Sequence, residues 1–372
     1  MARWLAAAAM SLSLAACGTS GPVASVKSPS ASLGSSPAAT PTPTLASQAP
    51  ASPSSSPIQG DPLLVIADFS VSEVRLARLD ATDIGSVKGN FDGIVGGQVI
   101  AVDGSTLRAL GRDGSGRVLG QLVGIVEWLG EGTVVVNHDL TQWLYATVSE
   151  GGLAQIHLGS AQGDRVVATL KSPDGNGNYR PFAWNQSGVL MQFQPVGLGG
   201  AGPFLEYHFR IAQFDMNAGV VTDISPMCTG LQAFDDGTLI CGQSGALEVR
   251  PPGGPSRTIR LSSGIYAQVR FSSDRKRLAV ARNGSTDPVI NYQVAVAGLT
   301  ASSAQPFGPL DFVPDAWLPD GRLVADHLCI SSDFGGGPCD ASLDGTYIFA
   351  ADGASHTLFF KLKNGSRVVG YV

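Results

Sequence analysis

Beyond residue 60 the apolar positions of this chain come in short runs separated by polar turns, and no stretch there keeps an apolar period of three to four residues. Short runs bounded by Gly, Asp, Asn and Ser predict β-strands, because an amphipathic helix would bring apolar residues back at every third and fourth position. The pattern recurs as a unit: an aromatic residue, a polar turn, then an apolar strand. It is seen as Trp128 to Val136 with Gly132 in the turn, Trp184 to Met191 with Gly188, and Phe234 to Cys241 with Asp236-Gly237. It continues as Phe271 to Val280 with Asp274-Arg275, and Trp317 to Ala325 with Asp320-Gly321. Asp-Gly suits the positive φ of a tight hairpin, and the preceding aromatic is expected to pack between adjacent sheets.

Taking Gly132, Gly188, Gly237, Arg275 and Gly321 as equivalent gives steps of 56, 49, 38 and 46 residues. A four-stranded propeller blade uses roughly 40 to 50. The 312 residues from Asp61 to Val372 therefore predict an all-β propeller of seven four-stranded blades, with six as the alternative count. The apolar runs Leu63 to Ala67 and Gly97 to Val102 leave room for two blades before Trp128. Asp344-Gly345 follows Asp320 by 24 residues, too few for a new blade, and suits a second hairpin of the last one. Closure is a specific expectation: the strand at Leu63 to Ala67 should join a sheet with the C-terminal stretch, leaving no free edge.

In the form aromatic-Ser-x-Asp-Gly-x-x-Leu-Ala, these units resemble the WD40-like repeat of TolB-type β-propellers across about five blades. Arg275 stands where Gly is usual, the first two blades lack the aromatic turn, and no Trp-Asp dipeptide closes a blade. The resemblance implies an envelope-associated propeller that binds other macromolecules. It brings no catalytic residue with it, because the shared motif is structural.

The N-terminal 60 residues differ in character. Arg3 precedes an apolar segment from Trp4 to Ala16, and Leu14-Ala15-Ala16 leads directly to Cys17. Small residues before a thiol are the layout of a lipoprotein signal, so residues 1–16 are expected to be removed and Cys17 to carry a diacylglycerol. Thirteen apolar residues fall short of the roughly 20 that span a bilayer. Residues 17–60, rich in Ser, Thr, Ala and Pro, cannot bury a core and are expected to form a disordered tether, reaching at most about 130 Å when extended. The protein is thus expected at the cell membrane, lipid-anchored on its extracytoplasmic face, with residues 61–372 forming the propeller.

The formal net charge of −6 and pI near 5.3 argue against a nucleic-acid partner, which requires clustered cations. The densest basic run, Arg275-Lys276-Arg277, is expected to be a solvated turn. Four cysteines remain besides Cys17, and an even number in an exported domain suggests two disulfides. Short loops favour Cys228 with Cys241 and Cys329 with Cys339; the two-residue spacing typical of zinc sites is missing. Asp174-Gly-Asn176-Gly-Asn178 begins like a calcium loop, but Tyr179 and Asn185 occupy the sixth and twelfth positions, where Gly and an acid belong.

The sequence contains no Gly-x-Ser-x-Gly elbow, no His-Glu-x-x-His helix and no Gly-rich phosphate loop, hence no catalytic or cofactor-binding fingerprint. The expected function is non-catalytic binding of a protein, a glycan or a small envelope ligand. The alternative is an exported hydrolase, lyase or quinone-dependent dehydrogenase. That enzyme would need acid and base groups converging at the channel, with His138-Asp139 and Asp326-His327 as first candidates, each pair ending an apolar strand.

Overall fold

A computed structural model describes residues 60–124, 134–149, 153–172, 177–186, 188–195, 210–225, 229–234, 236–243, 245–261, 269–272, 274–283, 291–329, 336–361 and 365–372. The chain folds into a β-propeller of seven antiparallel four-stranded sheets. Blade two comprises Asn90–Val95, Gln98–Asp103, Thr106–Leu110 and Gly116–Gln121, counted outward from the axis. Blades three to seven begin with the inner strands Val134–Val136, Gly177–Asn185, Thr229–Ala233, Val269–Phe271 and Phe312–Trp317. Blade one is composite: Leu64–Asp68, Glu73–Ala77 and Asp83–Lys88 take their inner strand from Ser366–Tyr371, which pairs antiparallel with Leu64–Asp68. The expected closure is therefore present, and Leu63 and Val372 exchange backbone hydrogen bonds of 3.1 and 2.9 Å beside it. Gly345–Phe349 is the third strand of blade seven, as its short spacing from Asp320 requires.

The burial of each strand follows its rank in the blade. A second strand such as Leu64–Asp68 or Leu323–His327 lies between neighbouring blades and is buried on both faces, whereas the outer Arg257–Arg260 buries Ile259 alone. The hydrophobic core is consequently divided into slabs, one at every interface between blades. Phe91, Val99 and Leu110 meet Val65 and Leu76 between blades two and one, and Leu64 and Ile66 meet Leu318 and Val324 across the closing interface. At the interface between blades two and three, Trp143 lies so close to Gly120 and Gly159 that a Cβ on either would come within 2.2 Å of its ring.

Among the described residues one turn recurs seven times and generalises the Asp-Gly motif. An N–H donates three residues back to a carbonyl, the donor residue has positive φ, and the Asp before it accepts from the backbone N–H two positions after itself. The aspartates are Asp80, Asp113, Asp139, Asp236, Asp274, Asp320 and Asp352. The positive-φ positions are Ala81, Gly114, Leu140, Gly237, Arg275, Gly321 and Gly353. Arg275 thus keeps the turn at φ +55° despite its side chain. Blade three corrects the repeat alignment: the turn joining its first two strands is at Leu140, φ +60°, and Val134–Val136 is the inner strand preceding it. Trp128 and Gly132 lie outside the described residues. The turn aspartate accepts a hydrogen bond wherever the positive-φ residue can tolerate αL, so Gly is helpful and not obligatory.

Candidate functional site

Among the described residues, five inner strands carry one extra residue where their register shifts against the second strand. These residues are Asp92, Phe182, Leu231, Asp315 and Val369, in blades two, four, five, seven and one. A bulge of this kind interrupts the inward and outward alternation and re-aims a side chain. In blades two and seven the extra residue is an aspartate, 3% and 1% exposed. Asp92 accepts from the Val134 amide, at 3.2 Å to each carboxylate oxygen, and so ties blade two to blade three.

Asp315 sits differently. It lines a cavity of about 340 Å³ at the centre of the ring, formed by the inner strands of blades one, two, five, six and seven. Asp92, Gln232 and Arg270 supply its other polar groups, and Phe271 and Tyr371 contribute aromatic walls. The Asp315 carboxyl shares a hydrogen bond with Asp326 on the adjacent strand, and Asp326 also accepts from Thr346 Oγ1 at 2.5 Å. Burial first, and then the negative charge of Asp326, hold the Asp315 carboxyl well above the ordinary carboxylate range. Burial likewise pushes Asp326 up to about 6. Two adjacent buried carboxylates cannot both ionise at low cost, so the pair retains one proton near neutrality. Arg270 and Arg367 moderate this with positive charge. Among the described residues no N–H or hydroxyl group donates to Asp315 Oδ2, which is itself buried.

Arg270 is held on both sides. Its Nε donates to the Asp315 carbonyl at 2.7 Å, and its own carbonyl accepts from Trp317 Nε1 at 3.1 Å. Trp317 is fully buried and lies under Arg277, whose guanidinium carbon is 4.4 Å from the ring centroid. Arg275 covers Phe234 at 4.7 Å and pairs with Asp236 at 2.9 Å. The basic run is therefore no simple solvated turn, since two of its three cations lie against aromatic rings of neighbouring blades, while Lys276 is exposed with its Nζ 3.8 Å from Asp274.

The two His-Asp pairs are not brought together. His138 and Asp139 lie in the exposed turn of blade three, and Asp139 accepts from the Thr141 amide and hydroxyl at 3.1 and 2.6 Å. Those bonds depress its pKa, the side-chain bond most. Asp326 and His327 are buried in the second strand of blade seven, where His327 Nδ1 is 2.9 Å from Asp344. The group that sequence reasoning missed is Asp315, because nothing in Pro314-Asp315-Ala316 marks a bulge.

Another polar network lies within blade three: His157 Nδ1 is 2.8 Å from Asp164, Tyr145 donates to Asp164 at 2.7 Å, and Thr147 lies 3.0 Å from His157 Nε2. Tyr145 stacks on His157, and burial raises its pKa. All members are satisfied, which suits a structural tie between strands. Cys329 and Cys339 form a disulfide with Cα atoms 5.6 Å apart. Cys241 is also disulfide-bonded, while Cys228, Cys17 and residues 173–176 of the calcium-like segment lie outside the described residues. Among the described residues no helix is long and apolar enough to cross a membrane.

No protein-family model matches the sequence, and no curated protein matches it. Among solved structures the chain is similar to TolB from Acinetobacter baumannii, at 15% identity over 78% of this chain and 77% of that chain, with a TM-score of 0.41. It is similar to a functionally unknown protein from Desulfotomaculum acetoxidans, at 10% identity over 83% and 99%, with a TM-score of 0.45. A 6-phosphogluconolactonase-type protein from Bacteroides fragilis gives 12% identity over 85% and 99%, with a TM-score of 0.49. At identities and scores this low, none of them assigns a ligand or a reaction to this chain.

Proposed function

We propose that the protein is a membrane-anchored, extracytoplasmic lipoprotein whose propeller binds an envelope ligand at the central cavity without transforming it. The observation that carries the reading is the buried Asp315 carboxyl, which lines the cavity beside Arg270, Gln232 and Asp92. A ligand group that donates a hydrogen bond to that carboxyl offsets part of its desolvation cost. Carboxyl, amide and guanidinium groups beside aromatic faces suit a hydroxyl-bearing group, so a sugar residue of an envelope glycan fits better than an apolar molecule. The Leu-Ala-Ala-Cys17 motif and the Ser/Pro/Thr-rich segment support the anchored location.

Titration of soluble envelope glycan fragments into the Cys17→Ala chain, followed by isothermal calorimetry, tests the binding half. Saturable binding that weakens at least tenfold in Asp315→Asn is expected, since the amide replaces an acceptor with a mixed group. Binding unchanged by that substitution would remove the cavity from the reading. For the anchor, mass spectrometry of the membrane fraction should find a diacylglycerol on a chain beginning at Cys17. An unmodified chain in the soluble fraction would sink that half.

A further inference from the structure

A second cluster lies at the corner of blade seven, away from the central cavity. His327, Cys329 and Cys339 each bring a ligand atom to within 4.8 Å of the others, with His327 buried and both cysteines half-buried. In the oxidised chain the two sulfurs are committed to each other. We propose that reduction of this disulfide turns the corner into a zinc site, with two thiolates and one imidazole as ligands and a fourth position open to water.

The imidazole is already oriented for that role. His327 Nδ1 lies 2.9 Å from an Asp344 carboxylate oxygen, so Nδ1 carries the proton and Nε2 keeps its lone pair for a metal. A carboxylate behind a histidine is the usual outer partner of a zinc ligand, fixing tautomer and ring direction. Phe312 meets the ring edge-on at 5.1 Å and limits its rotation.

The positions do not depend on the sulfur bridge. His327 sits in strand register with both Phe312 and Gly345, and Leu328 donates to the Asp311 carbonyl at 2.8 Å. On the other side Asp340 caps the short helix Ala341–Leu343 by accepting from Ser342 N at 2.9 Å. Tyr347 donates to the Leu343 carbonyl and Lys361 to the Ser342 carbonyl, each at 2.8 Å. Opening the bridge therefore leaves Cys329 beside its strand and Cys339 beside its capped turn. Two thiolates and an imidazole suit zinc over calcium or magnesium, which take oxygen ligands.

The chemistry balances with a dithiol as reductant. Two electrons and two protons pass to the bridge, the S–S bond breaks to two thiols, and the reductant closes its own disulfide. Zinc then binds the sulfurs as thiolates and releases two protons. Metal and disulfide compete for the same atoms, so zinc draws the bridge toward its reduced form.

Peptide-resolved alkylation of the full chain tests this, after reduction with a phosphine that does not hold zinc and with far-ultraviolet circular dichroism to confirm the fold. One equivalent of Zn²⁺ should slow alkylation of Cys329 and Cys339 at least tenfold and leave Cys228 and Cys241 unchanged. His327→Gln should lose most of that protection. Cobalt added to the reduced chain should give a thiolate charge-transfer band that Cys329→Ser diminishes and the unreduced chain lacks. Equal alkylation with and without zinc in the folded chain would overturn the proposal, as would a cobalt band unaffected by Cys329→Ser.

Discussion

Asp139 and Asp315 carry the same side chain and ionise in opposite directions. Asp139 stands in solvent, accepts from the Thr141 hydroxyl and amide, and is held below the ordinary carboxylate range, as are Asp80, Asp113 and Asp274 in the equivalent turns. Asp315 is buried against Asp326 and held above it. The two groups predict opposite limbs of a stability profile. Free aspartate ionises near pH 4, so between about pH 4 and 6 the folded chain keeps a proton at the Asp315 and Asp326 pair that the unfolded chain has released. Stability should fall as pH rises through that window and go on falling, less steeply, above it, because the pair still holds one proton that the unfolded chain has released. The turn carboxylates contribute stability above pH 4 and lose it as the pH drops through their lowered values. Thermal unfolding across pH 3 to 8 should therefore show a maximum near the lower end. Replacing both carboxyls, Asp315→Asn together with Asp326→Asn, should abolish the fall while keeping the acid limb, whereas Asp315→Asn alone leaves the burial-raised Asp326 titrating. A fall that survives the double substitution would place the titrating group elsewhere.

At the scale of strands and turns, the legible parts were those governed by local chemistry. Asp-Gly at 236–237 and 320–321 announces a turn because both residues act within four positions, and the apolar run Leu323 to Ala325 announces a doubly buried strand. The blades numbered one and two were found from their apolar runs although neither has the aromatic turn. Two features escaped for physical reasons. Leu140 occupies a turn position normally held by Gly, because the Asp139 side chain and the Asn137 carbonyl hold that turn closed, and so the unit in blade three was placed one strand early. The bulges at Asp92 and Asp315 depend on pairing between strands and leave no local trace, so the carboxyl at the centre of the candidate site was invisible. Asp326 was singled out beside His327, yet its partner proved to be Asp315, across the strand, while His327 turned toward Asp344. Arg275 shows the converse: the sequence marks it as an exception to Gly, and its contacts with Phe234 and Asp236 supply a use for the side chain that the exception introduces.

For the whole molecule, stability is distributed over interfaces that close on themselves. Each blade is flanked by two apolar slabs, and blade one is completed by a strand nearly 300 residues away in sequence, through pairs such as Ser366 with Asp68 at 2.8 Å. Long-range pairing of this kind makes closure a late and cooperative step. Removal of residues 366–372 should expose the apolar faces of Leu64 and Ile66, bring on binding of a hydrophobic dye and abolish the single cooperative unfolding transition. A truncated chain that still melts in one sharp step would show that closure is dispensable. The same seam has a mechanical meaning. Leu63 and Val372 lie side by side, so tension applied between them peels an antiparallel pair one hydrogen bond at a time, whereas tension borne across the blades must slide broad packed faces past each other. The ring is a clasp whose release point is where the chain enters it: strong against loads on its rim, and yielding first to a pull along its own thread.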